Sequence, residues 1–179
     1  MKRQMTLDWK SVIWRIKCRI AMNECRISKY NEKYRINGIY TRDEWTSMSD
    51  IGKKYGNIIF TYDEYVKVET KYLNVIKNIL NTGKVKFLQI QGLEDYKHVC
   101  QFTPKQKVYL CEILNISQDC LREKYWCRLE SDKMFIHFGY DYYMYIGSNL
   151  TYDEMKKIVD EQGLYIEKRK SPYKVNSNL

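Results

Sequence analysis

The chain has 179 residues, enough for one domain with a real core, and its 30% charged residues and two prolines argue against disorder and against a Pro-rich linker. No apolar run reaches the roughly 18 residues that a membrane-spanning helix needs. The net charge is +9, but the first forty residues carry +7 of it and the remainder only +2, so the basic character belongs to the N-terminal segment.

Asp8, Lys10, Arg15, Lys17 and Arg19 interrupt any apolar stretch after Met1, which argues against a secretory signal and for a cytoplasmic location. The six cysteines (Cys18, Cys25, Cys100, Cys111, Cys120, Cys127) lack close-paired spacing and read as reduced thiols, several of them in the core. Seventeen tyrosines predict an aromatic-rich interior whose hydroxyls need partners.

Residues 6–21 read as a short basic amphipathic helix, with Trp9, Val12, Ile13, Ile16 and Ile20 at helical spacing. Such a helix suits an anionic membrane surface or nucleic acid. It also suits a peripheral extension, because Met22 would serve equally well as a first residue. Asn37-Gly38, between Tyr34-Arg35-Ile36 and Ile39-Tyr40-Thr41, predicts a two-residue hairpin turn in a small β region over Arg26–Arg42. Ser47 and Asp50 predict the start of a short helix that Gly56 ends.

The strongest helix is predicted over Tyr62–Leu80. Thr61 and Glu64 form its capping box, Tyr65, Val68, Tyr72, Val75, Ile76 and Ile79 its apolar stripe, and Gly83 its stop. Val85–Ile90 reads as a strand. Thr103-Pro104 with Gln106 predicts a helix over Pro104–Leu114, with Val108, Cys111 and Leu114 inward and Ile116–Lys124 open between helix and loop. Tyr125–Glu130, Met134–Phe138 and Tyr142–Ile146 predict an antiparallel meander. Thr151 and Glu154 repeat the capping box for a helix over Tyr152–Gln162, and Leu164–Glu167 reads as a last strand.

The fold class that follows is α+β, a C-terminal antiparallel β-meander packed with several helices in a single domain. Residues 1–24 form the extension, 25–173 the domain and 174–179 a tail.

No Gly-rich phosphate loop, nucleophile elbow or zinc-type spacing appears, so neither a catalytic nor a metal site is expected and no cofactor is implied. His98 beside Cys100 lacks a second ligand pair. His137 should point opposite to Ile136 and Phe138, in a surface or structural role. Two patches suit protein recognition. Asp141, Tyr143 and Tyr145 share one strand face and set phenols around a carboxylate; Glu44-Trp45 sets a Trp beside an acid.

The strings Arg26-Ile27-Ser28-Lys29-Tyr30-Asn31, Tyr34-Arg35, Asn37-Gly38 and Asp43-Glu44-Trp45-Thr46-Ser47-Met48-Ser49-Asp50-Ile51-Gly52, with the later Glu64-Tyr65, Glu69, Tyr72 and Phe138–Ile146, resemble a bacterial family of small proteins. That family is placed among the immunity proteins of contact-dependent inhibition and related polymorphic toxin systems. The resemblance spans roughly residues 25–173. One departure is Glu32, where the family has Pro, which bears on a local turn. The resemblance implies a protein that binds a cognate toxin domain and occludes its active site or substrate surface. Many such toxins are nucleases with basic clefts, which implies acidic contacts such as Glu44, Asp50 or Asp141. The partner expected is therefore a toxin protein, with nucleic-acid binding through the N-terminal segment as the alternative.

Overall fold

A computed structural model describes residues 22–174, so the amphipathic helix expected over 6–21 lies outside the described residues. The backbone is organised by one seven-stranded, wholly antiparallel sheet. In chain order the elements are β1 (Asn23–Ser28), β2 (Arg35–Ile36), β3 (Ile39–Tyr40), β4 (Lys54–Tyr55), β5 (Ile58–Ile59), α1 (Tyr62–Thr82), β6 (Leu88–Glu94), β7 (Lys107–Val108), α2 (Leu110–Leu121), β8 (Trp126–Glu130), β9 (Met134–Phe138), β10 (Met144–Ser148), α3 (Tyr152–Glu161) and β11 (Tyr165–Lys168). The large sheet has the order β11-β1-β10-β9-β8-β6-β7, and β2–β3 and β4–β5 are separate hairpins.

The expected α+β class is present, and the meander β8-β9-β10 forms the middle of the sheet. Strand alternation sends Cys25, Ile27, Leu88, Ile90, Cys127, Leu129, Met134, Ile136, Met144 and Ile146 into one buried core with the inner stripes of the helices. There α1 packs against α2 and α3, while α2 lies on β8 and α3 on β1 and β11. α1 runs as its capping box predicts, with Thr61 Oγ1 accepting from the Glu64 amide and Glu64 Oε2 accepting from the Thr61 amide.

Several local expectations are corrected. β1 begins at Asn23 and pairs across to Ser148, so the sheet starts two residues before the expected domain edge, and Arg26–Ser28 belong to it and not to the small β region. The helix expected from Ser47 to Gly56 is a single 3-10 turn, Met48–Asp50; the β4–β5 hairpin follows it, with Gly56 at its turn. The left-handed residue that ends α1 is Lys84 (φ +51), one past Gly83. The predicted strand Val85–Ile90 is displaced to Leu88–Glu94.

The helix expected from Pro104 starts only at Leu110. Gln106 Oε1 accepts from the Thr103 amide within a turn, Lys105 is left-handed (φ +67), and Val108 pairs with Leu88 in the sheet. The Thr-x-x-Gln chemistry is thus used, but in a turn, and sheet pairing takes the next residues. Consequently α2 buries Ile113, Ile116, Ser117, Cys120 and Leu121, while Cys111 is exposed.

The second face of the sheet carries Glu24, Arg26, Arg128, Glu130, Phe135, His137 and Tyr145. The segment 169–174 crosses it as a strap. Ser171 Oγ lies 2.7 Å from His137 Nδ1, and the Tyr173 ring meets Trp126, His137 and Tyr145 at centroid distances of 5.5, 6.4 and 5.9 Å. Arg128 Nη1 donates to the Tyr173 carbonyl at 3.0 Å. Gly147 stands directly opposite Phe135, and a Cβ there would fall 2.0 Å from the Phe135 ring, so only glycine lets that ring lie across β10 beneath the strap.

Candidate partner-binding cleft

Beside the strap, five segments distant in sequence enclose a cleft of about 570 Å³. They are the end of β6 with the loop after it, the α2–β8 loop, the β9–β10 turn, the Thr46-Ser47 segment and Tyr173. Leu121, Tyr125, Phe138 and Tyr142 are buried beneath it, whereas Tyr96 and Tyr140 stand 87% and 86% exposed.

Each wall has a local cause. The β9–β10 connection is a two-residue turn closed by the Tyr143 amide on the Tyr140 carbonyl at 3.0 Å, with Asp141 and Tyr142 at φ +56 and +58. Two consecutive left-handed residues define the type I′ turn that suits strand twist. Asp tolerates that conformation; for a Tyr it is strained by roughly 1–3 kcal/mol. Packing holds Tyr142 there. Its ring lies 5.5 Å from Trp45, 5.8 Å from Tyr65 and 5.3 Å from Tyr72, and Tyr72 Oη donates to its carbonyl at 2.7 Å.

In the loop after β6, the Asp95 carboxylate accepts from the amides of Val99 and Cys100 at 3.1 and 2.8 Å. This pins both ends of the stretch that carries Tyr96. In the α2–β8 loop, left-handed Glu123 (φ +56) reverses the chain, and Trp126 Nε1 donates to the Phe138 carbonyl at 2.7 Å.

The electrostatics are uneven. Glu94, Glu123 and Asp141 line the cleft and are exposed, and none of them forms an ion pair among the described residues. Of the two lining lysines, Lys124 is bound to Asp119 at 2.7 Å and Lys97 donates to the Glu123 carbonyl at 3.2 Å.

The residues that the sequence singles out are partly assembled here. Asp141 lines the cleft, and Trp45 packs behind it, stacked on Phe60 at 4.0 Å with Lys29 Nζ 3.6 Å above its ring. Burial brings the Lys29 ammonium down to about 8, outweighing the opposite pull of Glu44 and Asp50. Glu44 accepts from Tyr40 Oη at 3.1 Å and lies 4.0 Å from Lys29.

Asp50, expected as an acidic contact, has a structural role in the fold. It is buried and accepts from the amides of Thr46 and Ser47 at 2.6 and 3.0 Å and from Lys53 at 2.7 Å. Burial alone would raise its carboxyl, but these donors hold it well below the usual range. Asp50 thereby fixes the Thr46-Ser47 wall.

The shared face expected for Asp141, Tyr143 and Tyr145 is also corrected. Asp141 is in the turn. Tyr143 receives Arg35 Nη2 at 2.9 Å beneath the Arg26 guanidinium, and Tyr145 is buried under the strap. Arg26 and Arg35 both bind Glu167, at 2.7 and 2.8 Å. Nothing in the sequence marked Tyr96, Tyr125, Trp126 and Tyr173 as neighbours, whereas Phe138, Tyr140, Asp141 and Tyr142 all lie inside one aromatic run.

His137 is 1% exposed, between Ser171 on Nδ1 and Glu130, 3.0 Å from Nε2. Ser171 Oγ also accepts from the Tyr173 amide at 3.2 Å, so the His137 ring and Ser171 are buried and satisfied, while the Glu130 carboxylate stays partly open to solvent. It fastens the strap. Among the described residues no cluster of His, Cys, Asp and Glu is arranged to hold a metal ion, and no helix is long and apolar enough to cross a membrane. All five cysteines among the described residues are free.

Compared with family models, with curated proteins and with solved structures, the chain matches none.

Proposed function

We propose that the chain is an immunity protein that binds and neutralises a cognate toxin domain, and that the aromatic cleft is the surface that engages it. The observation that carries the reading is the pair Tyr96 and Tyr140, each more than four-fifths exposed, at the mouth of a cleft based on buried aromatics. Exposed tyrosines rimming a preformed hollow favour partner binding, because each offers a large rigid contact at little entropic cost. The sequence resemblance supplies the toxin-system context. Occlusion of the toxin's active site or substrate surface is the mode of action, and the producing cell's cytoplasm is where it operates.

The test is co-expression with the toxin encoded beside this chain. The wild type should restore growth, and a Tyr96→Ala/Tyr140→Ala double variant should lose protection while its unfolding midpoint stays put. Absence of protection by the wild type defeats the proposal. The alternative, nucleic-acid binding, rests on the +7 charge of the first forty residues. It requires a salt-dependent affinity that disappears in a chain beginning at Met22, a chain that under the immunity reading still protects.

A further inference from the structure

We infer that the cleft takes an arginine side chain presented by the partner protein, an inference that rests on reading the cleft as a protein-binding surface. Two observations converge. The volume of about 570 Å³ far exceeds one side chain's needs, so a guanidinium can enter with its backbone at the mouth. Tyr96 and Tyr140 offer exposed ring faces at that mouth, and aromatic faces attract cations.

The charge balance is the second observation. Glu94, Glu123 and Asp141 face the cleft without ion-pair partners among the described residues, while Lys124 is already neutralised by Asp119. Among the described residues that line the cleft, Lys97 is the one other cation, so carboxylates prevail there. Coulombic attraction is stronger beside buried Tyr125, Phe138 and Tyr142 than in open water, since those rings displace solvent.

Arginine is preferred to lysine because its planar group stacks on a tyrosine while giving two parallel hydrogen bonds to a carboxylate; an ammonium cannot do both.

The experiment titrates the full chain with acetyl-Gly-Arg-Gly-amide, following the Trp126 indole N–H by NMR. Matched peptides carry citrulline, lysine or norleucine. The arginine peptide should shift the Trp126 signal and bind about tenfold more tightly than the uncharged, isosteric citrulline peptide. An Asp141→Asn/Glu123→Gln double variant should weaken arginine binding by about fivefold with its unfolding midpoint unchanged. Equal affinity for citrulline, an unchanged affinity in the charge variant, or no shift at tens of millimolar peptide overturns the assignment. Loss of the peptide response alongside intact toxin protection removes the arginine and leaves neutralisation standing. A peptide response without protection keeps the arginine site and removes the toxin.

Discussion

Tyr142 concentrates the residue-scale tensions of this fold. Its backbone is left-handed, its ring is locked among Trp45, Tyr65 and Tyr72, and its hydroxyl is buried without a partner. Burial pushes that phenol well above its ordinary range, so it stays neutral at any pH the protein meets. Two hydroxyl deletions should therefore behave oppositely. Tyr142→Phe removes an unsatisfied polar atom and should leave stability unchanged or raise it by up to about 1 kcal/mol. Tyr72→Phe removes the 2.7 Å donor to the Tyr142 carbonyl and should cost about 1–2 kcal/mol. Urea unfolding of the two variants reads this directly. A loss in Tyr142→Phe equal to that in Tyr72→Phe would mean that the Tyr142 hydroxyl is in fact bonded.

At the scale of elements, the joint between α1 and α2 is polar at its centre. Glu69 is buried on α1 and accepts from Gln118 at 2.8 Å and from Arg122 Nε and Nη2 at 2.7 and 2.8 Å. Glu69→Ala strips two side chains of their acceptor and opens a gap between the helices. It should cost about 2–4 kcal/mol, less than a fully buried pair because Arg122 can turn toward water. The denaturant midpoint of Glu69→Ala measures it, and a change below about 1 kcal/mol would show that the joint is held by apolar packing alone.

Elements were legible in the sequence where the signal is local. The capping boxes at Thr61 and Thr151 mark α1 and α3, and Asn37-Gly38 marks its hairpin, because a few neighbouring atoms decide each. Thr103-Pro104 misled for the complementary reason. Its turn chemistry is real, but the residues after it are claimed by β6, almost twenty positions earlier. The cleft was legible only in fragments. Asp141 and Trp45 sit in conspicuous strings, whereas Tyr96, Trp126 and Tyr173 meet through sheet order and the strap, which no periodicity encodes.

Over the whole molecule, the two faces of the sheet solve burial differently. Three helices cover one face with apolar contacts; the other carries charges and is covered by a short strap through Ser171 and Tyr173, with Arg35 lying over Tyr143 beside it. A chain ending at Lys170 should uncover Trp126, His137 and Tyr145, losing about 2–4 kcal/mol and gaining affinity for an apolar dye.

The same strap sets an acid response. Burial lowers the His137 imidazole below 6.5, more than Glu130 raises it, with Arg128 and Lys174 adding to the lowering. The unfolded chain therefore takes up a proton more readily, so this stabilisation is complete above about pH 6.5 and declines as pH falls. Glu130 follows below about 4.5, its carboxyl held down chiefly by the His137 hydrogen bond and by Arg128, against its own burial. Unfolding free energy should thus fall from pH 7 to pH 5 in the intact chain. In the chain ending at Lys170, or in His137→Gln, that slope should largely vanish, because the imidazole is then solvated or absent. An undiminished slope in both would place the acid response outside the strap.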